Sequence, residues 1–147
     1  MNNYLKSILI LIFLILYSIV GSRLITIDNA YQSQDLFKST IPEMIMFFFI
    51  GAMVETLILN LLFIYLILRF FPKLNTTVII IAASLIFGLV HFSSWQFVLI
   101  TFVAGVLLNY NFLLYKTSLV KATLLTFLIH FISNMCIYFI DIMSLNK

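Results

Sequence analysis

The sequence predicts an all-α, polytopic membrane bundle of about five transmembrane helices, and three observations predict it. The 147 residues are 64% hydrophobic and 9% charged, against about 25% charged residues in an ordinary soluble domain. Mean hydropathy is +1.21. Uncharged runs recur at the length a bilayer demands, roughly 20 helical residues per crossing. They lack the apolar and polar alternation that a membrane barrel, the other spanning solution, requires.

Taken in order, the first run extends from Ser7 to Ser22 and predicts a helix over 5–21. Lys6 ahead of it and small residues near "SIVGS" also fit a secretory signal, although the run is long for one. Residues 22–41 form the one sizeable polar stretch, with Arg23, Asp28, Asp35 and Lys38, and are expected as a surface or interfacial loop. The second run, Met44 to Leu68, is broken only by Glu55 and predicts a helix over 43–69. From Leu74 to Tyr115 no charge occurs, which is about 63 Å of helix at 1.5 Å per residue and hence two crossings. A fold-back at "HFSSWQ" divides them into 76–93 and 96–115. The last run, Ala122 to Ile140, predicts a helix over 119–140. The whole chain, 1–147, is expected to form a single membrane domain, with 5–41 as first helix and external loop and 42–140 as a four-helix core.

Charge placement indicates topology. With the N-terminus inside, Lys6, Arg69, Lys73, Lys116 and Lys121 fall on the cytoplasmic side and Arg23, Lys38 and Lys147 outside, as the positive-inside rule requires. The net charge of +3 thus reflects topology and attraction to anionic lipid. Nothing resembles a nucleic-acid-binding patch. The single cysteine, Cys136, excludes an intrachain disulfide and suits packing.

Ionisable residues at membrane depth are expensive, so those that occur mark function by default. Glu55 lies near the middle of the second helix, His91 toward the end of the third and His130 near the middle of the fifth, with Asn60, Asn109 and Asn134 as neutral polar groups. Residues four apart share a helix face. His130 with Asn134, Phe87 with His91, and Thr56 with Asn60 are such pairs. Taken singly, each His also fits a bond to a neighbouring carbonyl, and Asn134 fits interhelical packing. Glu55 fits a bland role least, because a carboxylate there needs partners and its own helix offers no cation within a turn. Counted along straight helices, however, His91 lies near the external end of its helix while Glu55 and His130 lie at mid-membrane. Tilt, or an inward-drawn turn at Ser93 and Ser94, must bring His91 deeper.

The ordered set Glu55, Phe87-x-x-x-His91 and His130-x-x-x-Asn134 resembles the CPBP family of intramembrane peptidases, which includes type II CAAX prenyl endopeptidases and bacteriocin-processing or bacteriocin-immunity proteins. The likeness spans roughly residues 42–140. "FGLVHFSSWQFVLITFVAGVLLNY" and "YKTSLVKATLLTFLIHFISN" support it. The family's first motif usually has two adjacent glutamates and an arginine four residues beyond the second; here those positions are Glu55, Thr56 and Asn60. Thr56 and Asn60 are expected to form a hydrogen-bonding couple that removes both charges together, because losing one alone would strand a buried charge.

The resemblance implies an integral protein of a bacterial plasma membrane, acting on a membrane-associated peptide or protein, prenylated or bacteriocin-related. It implies Glu55 as general base, His91 as the group that holds and polarises the water, and His130 with Asn134 as oxyanion donors; Thr56, Asn60 and Phe87 are support. No cofactor is expected on this reading. Zinc held by Glu55, His91 and His130 is the competitor, opposed by the absence of a His-Glu-x-x-His helix and by the lack of another base if Glu55 were a ligand. A non-catalytic immunity or binding protein of the same fold is a second class of function. A proton or ion carrier is a third, disfavoured by five short spans without a second inverted repeat.

Overall fold

The computed structural model describes residues 2–24 and 40–145, all of its regular structure helical. Helix α1 is Asn3–Leu24, α2 is Ile41–Glu55, α3 is Phe63–Phe70, α4 is Thr76–Val90, α5 is Trp95–Leu114 and α6 is Leu119–Leu145. Between α2 and α3 the chain continues without a break as a π-helical segment, Thr56–Leu62. Most of the expected polar loop, 25–39, lies outside the described residues.

Local chemistry sets the helix starts. Thr40 donates its N–H to the Glu43 carboxylate at 2.6 Å, and Pro42 stands in the first turn of α2, where a missing N–H costs nothing. The Asn75 side chain accepts the Thr77 N–H at the start of α4, and the Ser94 hydroxyl accepts the Phe97 N–H at the start of α5.

Four helices are long and apolar enough to cross a membrane: Asn3–Gly21, Ile41–Phe70, Trp95–Leu114 and Leu119–Ile140. The third expected crossing is corrected. Helix α4 stops at Val90 instead of 93 and has 15 residues, about 22 Å against a hydrocarbon core of about 30 Å. Its C-terminal end brings His91 level with Glu55 of the second span. Residues 91–94 turn there, with the His91 N–H donating to the Gly88 carbonyl and the Phe92 N–H to the Leu89 carbonyl, both at 3.2 Å.

Helix α5 is the centre of the bundle, packed against α4, α6, α1 and the π-helical segment. Two apolar layers surround it. One joins Ile64, Ile79, Ala83, Phe112 and Ala122 near the end of the bundle that carries the N-terminus; the other joins Ile10, Leu14, Phe87, Leu108 and Ile129 at mid-height. Helix α1 is thus part of the packed bundle, since its Leu14 shares a core with Phe87. Lipid-like residues face outward, as a hydrocarbon solvent permits.

Because lipid tails are as apolar as leucine, close backbone approach and interhelical hydrogen bonds must hold the helices together. Gly88 supplies the first: a Cβ there would stand 2.9 Å from the Val98 carbonyl oxygen on α5. Buried amides supply the second. Asn60 donates to Asn109 Oδ1 at 2.8 Å, Asn109 donates to Ser84 Oγ at 3.1 Å, and Ser84 donates to the Ile80 carbonyl at 2.6 Å. This chain ties the second span to α5 and α4.

The expected Thr56–Asn60 couple does not form. Asn60 turns to Asn109, while Thr56 Oγ1 and Asn60 Oδ1 are buried without a hydrogen-bond partner among the described residues. The π-helical segment is the physical reason, because its wider turn breaks the straight-helix alignment of residues four apart.

Two outcomes follow from this packing, both read by thermal or denaturant unfolding in micelles. Gly88→Ala is expected to destabilise by about 1–3 kcal/mol, because the α4–α5 backbones must separate, whereas Gly51→Ala, with open space around it, is neutral or slightly stabilising. Asn109→Leu is expected to cost about 1–3 kcal/mol by stranding the Asn60 carboxamide, and the double change with Asn60→Leu to recover part of that loss.

Candidate active site

The Glu55 carboxylate is delivered by the last residue of α2, at the junction with the π-helical segment. π-Helical turns are rare and recur at functional sites. Here the segment turns Thr56 and Asn60 into the core, both fully buried, while Glu55 keeps 30% of its side chain accessible.

His91 follows the last residue of the short α4, and His130 lies within α6. Their Nε2 atoms approach one and the same oxygen, Glu55 Oε2, at 3.3 and 3.5 Å respectively. The end of α4 at Val90 leaves the Phe87 carbonyl without its helical N–H partner, and the His91 ring takes that place. Oε2 is enclosed by the two rings and makes no hydrogen bond of good geometry. Oε1 is the oxygen left open to an incoming molecule.

The two imidazoles have different surroundings. His91 Nδ1 lies 2.7 Å from the Phe87 carbonyl oxygen, and a carbonyl only accepts, so Nδ1 carries a proton, while Nε2 faces the Glu55 carboxylate at 3.3 Å. His130 Nδ1 is buried without a partner. A bare lone pair at that position would cost less than an orphaned N–H. Both rings turn Nε2 toward the Glu55 carboxylate.

Packing holds both rings. Phe87, 2% exposed, stacks on His91 with centroids 4.7 Å apart and meets His130 at 5.8 Å in a tilted contact. Space for the Phe87 ring comes from Gly105 on α5, where a Cβ would lie 3.1 Å from Phe87 Cβ and 3.2 Å from its ring. Ser133 donates to the His130 carbonyl at 2.8 Å. Asn134, one turn beyond His130 on α6, is half-buried, and its carboxamide makes no hydrogen bond among the described residues.

Glu55, His91, His130 and Phe87 are thus brought together from three helices, and Asn134 lies one turn beyond His130 on α6. Thr56 and Asn60 are not brought to the cluster but point into the adjoining core. Gly105 and the π-helical segment were missed by sequence reasoning. A glycine inside an apolar helix, costing about 1 kcal/mol against alanine, is a signal of close approach that could have found the first; the second has no comparable signature. Cys136 is a free, half-buried thiol. No group of three or more His, Cys, Asp or Glu side chains among the described residues is arranged to hold a metal ion.

Residues 37–136 match the family described as type II CAAX prenyl endopeptidase Rce1-like. No curated protein and no solved structure matches the chain. The matched region contains the whole Glu55, His91 and His130 cluster and spans more than half of the sequence. The chain therefore belongs to the Rce1-like family of type II CAAX prenyl endopeptidases, integral membrane proteases, as the three converging side chains on an apolar helical bundle had suggested.

Proposed function

We propose that this protein is an intramembrane endopeptidase that hydrolyses a peptide bond of a membrane-associated substrate by a glutamate-activated water, without a resident metal. The observation that carries the reading is the convergence of His91 Nε2 and His130 Nε2 on Glu55 Oε2 at 3.3 and 3.5 Å. Amide hydrolysis needs a base for the water and a donor for the oxyanion at one point.

Glu55 takes a proton from the water as its oxygen bonds to the scissile carbonyl carbon, and His91 Nε2 accepts the water's second hydrogen bond and so orients its lone pair. The carbonyl oxygen becomes an oxyanion, held by the His130 Nε2–H and by the Asn134 carboxamide, whose N–H groups are uncommitted. As the tetrahedral species collapses, the C–N bond breaks and the proton on Glu55 passes to the departing amine nitrogen. No covalent enzyme intermediate is required. The 91–94 turn supports the supply of water, because non-helical backbone at membrane depth persists where it is buried in protein or lines a hydrated cavity.

The test is cleavage of membrane peptides in lipid, a farnesylated CAAX peptide and unmodified transmembrane peptides among them. Wild type is expected to cleave at a rate unchanged by chelator, and Glu55→Gln to lose at least about 100-fold with unaltered helicity. Loss on chelation with recovery on added zinc would replace this reading with the Glu55, His91 and His130 ligand set; full protection of cells by Glu55→Gln would favour a non-catalytic immunity or binding protein.

Asn134→Ala is expected to lower kcat by about 100- to 1000-fold with little change in KM, the signature of a donor used in the transition state. An equal rise in KM instead would make Asn134 a substrate-binding residue.

A further inference from the structure

At the end of the bundle that carries the N-terminus, away from the Glu55 cluster, α1, α5 and α6 border an open cavity of about 330 Å³. Its walls include Asn3, Tyr4, Tyr115, Thr117, Ser118 and Lys121. Lys121 is the charged member. Its Nζ lies 4.3 Å from the centroid of the Tyr4 ring and 5.2 Å from that of Tyr115.

Aromatic faces attract an ammonium group through their quadrupole and hold it in place. They do not neutralise its charge. Among the described residues, Lys6, Arg69, Lys73, Lys116 and Lys121 all belong to this end, whereas Glu43 starts the second span at the opposite end and Glu55 lies within the bundle. Among the described residues, no carboxylate pairs with Lys121.

The cavity wall is held in place from behind. The Tyr115 hydroxyl is 2.9 Å from Ser7 Oγ, Ser7 donates to Asn111 Oδ1 at 2.7 Å, and Asn111 donates to Thr126 Oγ1 at 3.0 Å. These groups are buried and link the same three helices. Asn3 adds a bond from its carboxamide to the Leu114 carbonyl at 3.1 Å. The neighbouring surfaces of α1 and α6 are apolar, with Leu5, Leu119 and Val120 exposed, Val120 by 72%.

We infer that this cavity is a binding site for an anionic phospholipid, with the headgroup phosphate against the Lys121 ammonium and the Thr117 and Ser118 hydroxyls and the acyl chains along the exposed apolar surfaces of α1 and α6. The chemistry it selects is a phosphate ester carrying hydrocarbon. A basic pocket between helix ends at the membrane surface is the setting in which charged lipid headgroups are bound. A free phosphate shares the headgroup chemistry and lacks the chains.

Native mass spectrometry of the full chain in micelles, titrated with phosphatidylglycerol, phosphatidylcholine or inorganic phosphate, tests the site. Wild type is expected to retain one phosphatidylglycerol with at least tenfold preference over phosphatidylcholine. Lys121→Gln is expected to lose that preference and Lys121→Arg to keep it, while Lys73→Gln, on the same end but outside the cavity, leaves it unchanged. Thermal unfolding of each variant without lipid verifies that folding is intact. Millimolar inorganic phosphate that displaces the lipid would assign the shared phosphate site to the free anion as well and still support it. Equal loss in Lys73→Gln and Lys121→Gln, or no preference in wild type, overturns the proposal, because the attraction would then belong to the diffuse basic face.

Discussion

A carboxylate placed within hydrocarbon must be met by polar groups from other helices, and the approach of two imidazole nitrogens to Glu55 Oε2 at 3.3 and 3.5 Å is the contact on which the arrangement of this protein depends. Three separate spans have to agree in height for it to exist. The second span reaches the right level at the end of α2, α6 reaches it near its middle, and α4 reaches it at its C-terminal end, where His91 follows Val90. The end of the helix there frees the Phe87 carbonyl to hold the His91 ring.

A bundle in lipid has little hydrophobic drive to hold such an agreement, so height and rotation are fixed by other means. Glycines set distance: Gly88 lets α4 and α5 touch, and Gly105 admits the Phe87 ring that backs His91. Amides and hydroxyls set register. The Asn60, Asn109 and Ser84 chain lies just below the Glu55 cluster, and the Tyr115, Ser7, Asn111 and Thr126 chain lies toward the N-terminal end. Both pass through α5, which explains its central place. In this chain the usual charged support of the first motif is absent, and the neutral Asn60 to Asn109 bond stands in that region instead.

Much of this was legible in residue types. Long uncharged runs marked the spans because each backbone polar group in lipid must be satisfied within its own helix, and the expected and observed helices differ by a few residues at their ends. Glu55, His91 and His130 stood out because few ionisable groups are tolerated at such depth. The Thr56 and Asn60 pairing was misread, since residues four apart share a face only while the helix stays α, and the π-helical turn lies across that pair.

Residue types alone set the apolar solvent, the order of the helices, and which side chains are too costly to be there without partners; these follow from transfer energies and from an α-helical repeat that holds outside the π-helical turn. Packing between helices sets the rest: that α4 ends level with Glu55 and that Asn60 bonds across to Asn109. Those outcomes depend on atoms of different helices meeting within about 3 Å, a distance that no count of residues along one chain contains.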